Sequence, residues 1–160
     1  MSTEGARANV VQGIHHSGIS VGDLDVALAF WESFLGTKAR FRGRLDRPYL
    51  AASVGYPGVA IDAALIDLPD GRMIELLDYQ VEGRERQPDD SFHPGHTHTC
   101  LTVSDCNEAW RRAVGAGAIP RNPDGPVAVD AGPNKGALVC YLRLPDGNSL
   151  ELFQPIVPLP

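Results

Sequence analysis

The chain has 160 residues, 43% of them hydrophobic, and a formal net charge of -6, enough for one compact domain or for two half-sized units sharing a core. The acidic balance argues against nucleic acid as a partner, because such surfaces need a concentrated positive field to displace counterions from phosphates. With no apolar run near the roughly 20 residues of a bilayer-spanning helix and no basic, then hydrophobic, N-terminal segment, the expectation is a cytoplasmic protein with no membrane partner.

The first element is a strand in residues 14–21, where Ser17, Ile19 and Val21 fall on one side and His16, Gly18 and Ser20 on the other. His15 has the opposite parity to His16 and is set aside. Asp23 can cap a helix over 24–35, whose apolar stripe is Leu24, Ala27, Leu28, Trp31, Phe34 and Leu35, with Gly36 as its stop. Three strand candidates follow at about 38–43, 58–67 and 72–79, the last two joined by a Pro69-Asp70-Gly71 turn. Arg40, Arg42, Arg44 and Arg47 suit an anionic substrate or, more simply, a solvated face.

Residues 81–95 are polar, charged and proline-containing, which reads as an exposed linker or lid. His93 and His96 in this region read as solvated loop histidines. A second strand then carries His98 and, at the same parity, Cys100. Asp105, with Glu108 three residues on, starts a second helix whose stripe is Ala109, Ala113 and Val114 and which leaves at 115–117. Strand candidates at about 125–130, 136–143 and 148–154 complete the chain, the last two joined by Pro145-Asp146-Gly147. Trp31 and Trp110 on the helices read as core or dimer contacts. Cys100, Cys106 and Cys140 are odd in number and lack paired ligand spacing, as reduced thiols would.

The two halves repeat one another. Residues 16–23 and 98–105 both read His-x-x-[Ile/Leu]-[Ser/Thr]-Val-x-Asp, and Leu-Pro-Asp-Gly-x-x-[Ile/Leu]-Glu-Leu occurs at 68–76 and again at 144–152. The offsets, 98 − 16 = 82 and 151 − 75 = 76, are nearly equal, so one βαβββ unit is duplicated. The domain expectation is a single unit over 1–160, with modules at about 10–80 and 95–155 and a linker at 81–95.

Parity then singles out four residues. His16 and His98 lie opposite the apolar positions of their strands, and Glu75 and Glu151 lie opposite Ile74 and Leu76, and Leu150 and Leu152. A carboxylate in mid-strand between large apolar residues loses hydration and needs compensation, which a metal ion provides. Two imidazoles and two carboxylates suit a hard or borderline divalent ion with positions left for water or substrate oxygens.

The segments HHSGISVGDLDVALAFWESFLG and HTHTCLTVSD and both PDGxx[Ile/Leu]EL strands resemble the vicinal oxygen chelate superfamily, over about residues 12 to 154. That superfamily includes glyoxalase I, methylmalonyl-CoA epimerase, extradiol dioxygenases and the bleomycin and fosfomycin resistance proteins. The resemblance implies an α+β fold in which two tandem βαβββ modules form a cup-shaped mixed sheet with helices on the outer face. It places the metal ligands at His16, Glu75, His98 and Glu151, around one divalent ion per site (nickel, cobalt, zinc, manganese or iron). It also implies a homodimer, with the site built either within one chain or across two.

Such a cup binds two neighbouring substrate oxygens and favours reactions through an enolate or enediolate. Glu151 is the first choice of base for the proton beside the carbonyl, and Glu75 the second. The reading is a glyoxalase-I-like lyase or an epimerase or isomerase acting on a small molecule, with 44–59 and 81–95 shaping the pocket. One alternative is a ferrous ring-cleaving or other dioxygenase, for which His16, His98 and Glu151 match the usual triad while Glu75 fills a position that oxygen needs. The other is a non-catalytic ligand-binding or resistance protein, against which the complete ligand set argues.

Overall fold

The structure is a computed structural model that describes residues 10–157; residues 1–9 and 158–160, included in the single-domain expectation, lie outside the described residues. The first half runs β1 (His16–Ser20), α1 (Leu24–Leu35), β2 (Phe41–Leu45), α2 (Pro48–Val54), β3 (Ile61–Asp67) and β4 (Met73–Tyr79). The second runs β5 (His98–Thr102), α3 (Cys106–Gly115), β6 (Ile119–Pro120), β7 (Val127–Ala128), β8 (Leu138–Arg143) and β9 (Ser149–Gln154).

The starts of α1 and α3 are set by aspartate. Asp23 Oδ1 accepts from the amides of Asp25 and Val26, and Asp105 Oδ1 accepts from that of Glu108, satisfying donors that a helix start leaves unpaired. Gly36 ends α1 in the left-handed region at φ 68. The two Pro-Asp-Gly turns are built alike: Asp70 and Asp146 accept from the amides of Arg72 and Asn148, while Gly71 and Gly147 take positive φ.

The strands form two mixed sheets, β1-β4-β3-β2 and β5-β9-β8-β6, with β7 joining β8 off that path. β1 pairs parallel with β4, and β5 with β9, while the other pairings are antiparallel. Two elements depart from the sequence reading. The strand expected at 125–130 is shortened to β7, which pairs with β8 at the register where β2 pairs with β3, and a further two-residue strand, β6, pairs with the other end of β8 directly after the 115–117 exit. The segment between β2 and β3 contains α2, which Pro48 opens at a position where proline costs no hydrogen bond.

Ile74 and Leu76 on β4, Leu150 and Leu152 on β9, and Leu24, Phe30 and Trp31 on α1 lie in one core with Cys106 and Ala113 of α3. α1 and α3 also pack on each other. The modules therefore share the core on their helix-facing sides. A smaller core joins Leu50 of α2 to Val59, Ile61 and Ala63, so α2 covers part of the opposite face of the first sheet. Among the described residues no helix is long and apolar enough to cross a membrane.

Candidate metal centre

Strand alternation positions the functional side chains. Ile74 and Leu76, like Leu150 and Leu152, are fully buried against the helices, so Glu75 and Glu151 point to the other face. Because each first strand runs parallel to its last strand, Gly18 lies opposite Glu75 and Cys100 opposite Glu151. His16 and His98, two residues earlier, become diagonal neighbours of the carboxylates. His16 Nε2 is 3.1 Å from Glu75 Oε2, and His98 Nε2 is 2.9 Å from Glu151 Oε2.

Both imidazoles are open to solvent, with side chains 38% and 40% exposed, whereas Glu75 and Glu151 are 24% and 14% exposed. Two ligands on adjacent positions of an ion with bonds of about 2.1 Å lie about 3 Å apart. Each pair already has that separation, so the donor set fits a divalent ion as adjacent ligands. The four residues do not meet within one chain: the pairs sit on different sheets, and among the described residues no three His, Cys, Asp or Glu side chains converge to hold an ion. The physical reason is the shared helix-side core, which leaves the two pairs on the faces turned away from it.

A family model for the Glyoxalase/Bleomycin resistance protein/Dioxygenase superfamily matches residues 13–152. The chain belongs to this superfamily. Lactoylglutathione lyase from Salmonella typhimurium is 29% identical over 142 residues, covering 87% of this chain and 90% of that protein. A glyoxalase family protein from Bacillus cereus aligns with a TM-score of 0.77 at 20% identity, covering 96% of this chain and 100% of that one. A glyoxylase/bleomycin resistance protein/dioxygenase domain from Frankia aligns at 0.66 and 22% identity, covering 91% and 93%. The last two similarities are of fold.

In this superfamily chain the two half-sites differ around their carboxylates. Opposite Glu75 stand Gly18 and Leu65, and opposite Glu151 stand Cys100 and Tyr141. The Tyr141 ring meets His98 edge-on at 5.2 Å. Burial, a hydrogen bond to Glu151 and that carboxylate's charge push the Tyr141 phenol up to about 12. Burial and the charge of Glu151 push Cys100 up to about 11. Both groups are therefore protonated at neutral pH and able to donate to Glu151.

His15, set aside by parity, touches the far nitrogen of its neighbour, Nδ1 to Nδ1 at 2.8 Å, a contact that orients the His16 ring. Parity misses it because His15 lies just outside the strand. Strand parity passes over Tyr141 as well. The repeat held the signal, since an offset of 76 aligns Tyr141 with Leu65 (141 − 65) and so marks a polar departure beside Glu151.

The remaining candidates settle more simply. Arg40, Arg42 and Arg44 are paired with Asp67, Asp25 and Asp62. Trp31 is fully buried in the core and Trp110 packs against it. His93 is exposed. A cleft of about 930 Å³ runs between the end of β1, the linker and the second Pro-Asp-Gly turn, lined by Tyr56, Tyr79, Arg84, His96 and Asn148 among others. Both segments expected to shape a pocket contribute to it, and none of the four ligand candidates does.

Proposed function

We propose that this protein is a divalent-metal-dependent, glyoxalase-like lyase or isomerase that removes a proton from the carbon beside a carbonyl, and that it acts as a homodimer. The observation that carries this reading is the duplicated His–Glu pair, twice at ligand spacing on equivalent strands. Superfamily membership and the similarity to a lactoylglutathione lyase agree with it.

His16, Glu75, His98 and Glu151 are the residues that would hold the ion. When bound, a divalent ion supplies Lewis-acid withdrawal of charge from two neighbouring substrate oxygens. Glu151 takes the proton at a carboxylate oxygen and returns it to the product, with Tyr141 donating a hydrogen bond that fixes its orientation. Glu75 mirrors it from the other pair. His15 and Tyr141 hold the His16 and His98 rings from behind or from the side.

The sheet edges support the proposed dimer. β1 ends the first sheet and β5 ends the second, and each carries one of the histidines. Joining β1 of one protomer to β5 of its partner removes two open edges and brings His16 and Glu75 beside His98 of the partner subunit and Glu151 of the partner subunit. Each dimer then has two equivalent sites, each with one ion.

The reaction class is tested on a substrate found by screening, run without oxygen in deuterium oxide with zinc. Turnover with deuterium entering the carbon beside the carbonyl is the expected result. Strict dependence on oxygen and ferrous iron, with oxygen incorporated into product, would overturn the proposal. Equal metal binding by His98→Ala, Glu151→Ala and wild type would overturn the ligand assignment.

A further inference from the structure

The repeat predicts equivalent surroundings for the two half-sites, and besides the row that holds the carboxylates a second row of residues breaks the equivalence. The sheet register sets His98, Ser149 and Arg143 side by side across β5, β9 and β8, on the face that carries Glu151 and Tyr141. The corresponding row of the first module is His16, Met73 and Asp67. There Asp67 pairs with Arg40 at 3.1 Å and Met73 offers no hydroxyl, so that row presents no unpaired polar group.

In the second module, Ser149 is only 7% exposed and its hydroxyl oxygen has no hydrogen-bond partner, a state that buried polar groups rarely keep. Beside it, Arg143 Nη1 donates to Asp89 Oδ2 at 2.5 Å. Arg121, whose amide donates to the carbonyl of Tyr141, gives a guanidinium hydrogen bond to the Asp89 carbonyl and lies 3.8 Å from Asp90. Arg86 approaches Asp89 from a third side at 3.4 Å. Three guanidiniums thus face two carboxylates, a positive spot in an acidic chain. Asp89 and Asp90 belong to the exposed 81–95 segment, which crosses this end of the sheet as a strap.

We propose that Arg143, Arg121 and Ser149 form a subsite for an anionic group of the substrate, a carboxylate or a phosphate, and that Asp89 holds the subsite until the ligand displaces it. Guanidinium forks recognise planar or tetrahedral oxyanions through paired charge-assisted hydrogen bonds. The Asp89 carboxylate already demonstrates the contact with an oxyanion from the chain itself. The free Ser149 hydroxyl supplies a further donor once Asp89 has moved. Arg143 and Glu151 are diagonal neighbours on adjacent strands, about 7–8 Å apart at their Cα atoms, so the charged group lies a few bonds from the reacting carbon. The substrate class is therefore a small organic acid or phosphate ester whose paired oxygens and anionic group are close together. This deepens the proposed function and rests on it for the reacting oxygens, whereas the subsite itself exists without metal.

The test uses the full metal-free chain, titrated at low ionic strength with inorganic phosphate and, separately, with acetate. Arginine side-chain NMR signals and calorimetry report binding. Arg143 and Arg121 signals are expected to shift, and the stronger probe identifies phosphate or carboxylate as the preferred group. Arg143→Gln should weaken binding by roughly tenfold or more, the value of a charge-assisted bond. Arg143→Lys, which keeps the charge but loses the fork and guards against misfolding, should fall between. Asp89→Asn should bind the probes more tightly than wild type, an effect that a merely structural ion pair would not produce. Arg40→Gln, at the first-module position equivalent to Arg121, should leave binding unchanged. Absence of any shift at Arg143, unaltered affinity in Arg143→Gln, or no gain in Asp89→Asn would overturn the subsite. Because no metal is present, such a failure leaves the metal centre standing, and loss of the metal assignment leaves the subsite standing.

Discussion

Two double variants test how the proposed metal centre is assembled. His16→Ala with Glu75→Ala removes one pair, and His98→Ala with Glu151→Ala removes the other. Both pairs are on open sheet faces, with the histidines 38% and 40% exposed, and deleting such an ion pair costs about 1 kcal/mol or less, so both variants should fold. In a dimer whose sites each combine one pair from either protomer, every site of each variant lacks a pair, and neither variant binds metal alone. A mixed dimer has one intact site and one empty one. Random subunit exchange makes about half of the dimers mixed, so about a quarter of the wild-type metal capacity should return on mixing. Equilibrium dialysis against zinc with elemental analysis measures the capacity, and light scattering on differently tagged chains counts the mixed dimers. No recovery in samples that contain mixed dimers would refute the cross-chain site, because four ligands from one chain cannot be restored by mixing. Full binding by either variant alone would refute the ligand set.

Tyr141→Phe removes the donor to Glu151 and should lower metal affinity by about tenfold while leaving the melting temperature unchanged; competition with a chelator reads it, and equal affinity would refute the positioning role. Gly147 has φ +91, and a Cβ there would overlap the Arg86 guanidinium, whereas Gly71 at φ +83 has open space. Both alanine variants carry about 1–2 kcal/mol of left-handed strain, and Gly147→Ala should lose slightly more in urea unfolding because the end of the Arg86 side chain must swing aside. Equal losses would show that the Arg86 side chain does not pack on this turn. Burial and neighbouring Cys106 push Cys140 from the ordinary thiol value of 9.0 up to about 12. The folded chain then holds this proton more tightly than the unfolded one, so its stabilising effect is complete below pH 9 and fades as pH climbs toward 12. Thermal melts at about pH 8 and about pH 10 should show a smaller decline in Cys140→Ala, and parallel declines would contradict the assignment.

Local patterns along the chain encode the duplicated unit, both aspartate-capped helices, both Pro-Asp-Gly turns and the face on which His16, Glu75, His98 and Glu151 lie. These follow from short-range rules: side-chain period, cap chemistry and turn chemistry act over a few residues. The same rules overstated the length of β7 and passed over β6, because a two-residue strand has no period to read. They passed over α2, whose seven residues take their burial from Val59, Ile61 and Ala63 of the sheet they cover. Packing across the whole fold joins the modules through their helix sides, which turns the two His–Glu pairs outward as separate halves. It alone decided that Tyr141 reaches His98 and that Asp89 clasps Arg143. Those contacts join residues 43 and 54 positions apart (141 − 98 and 143 − 89), a separation at which the pattern along a strand says nothing about which side chains will meet.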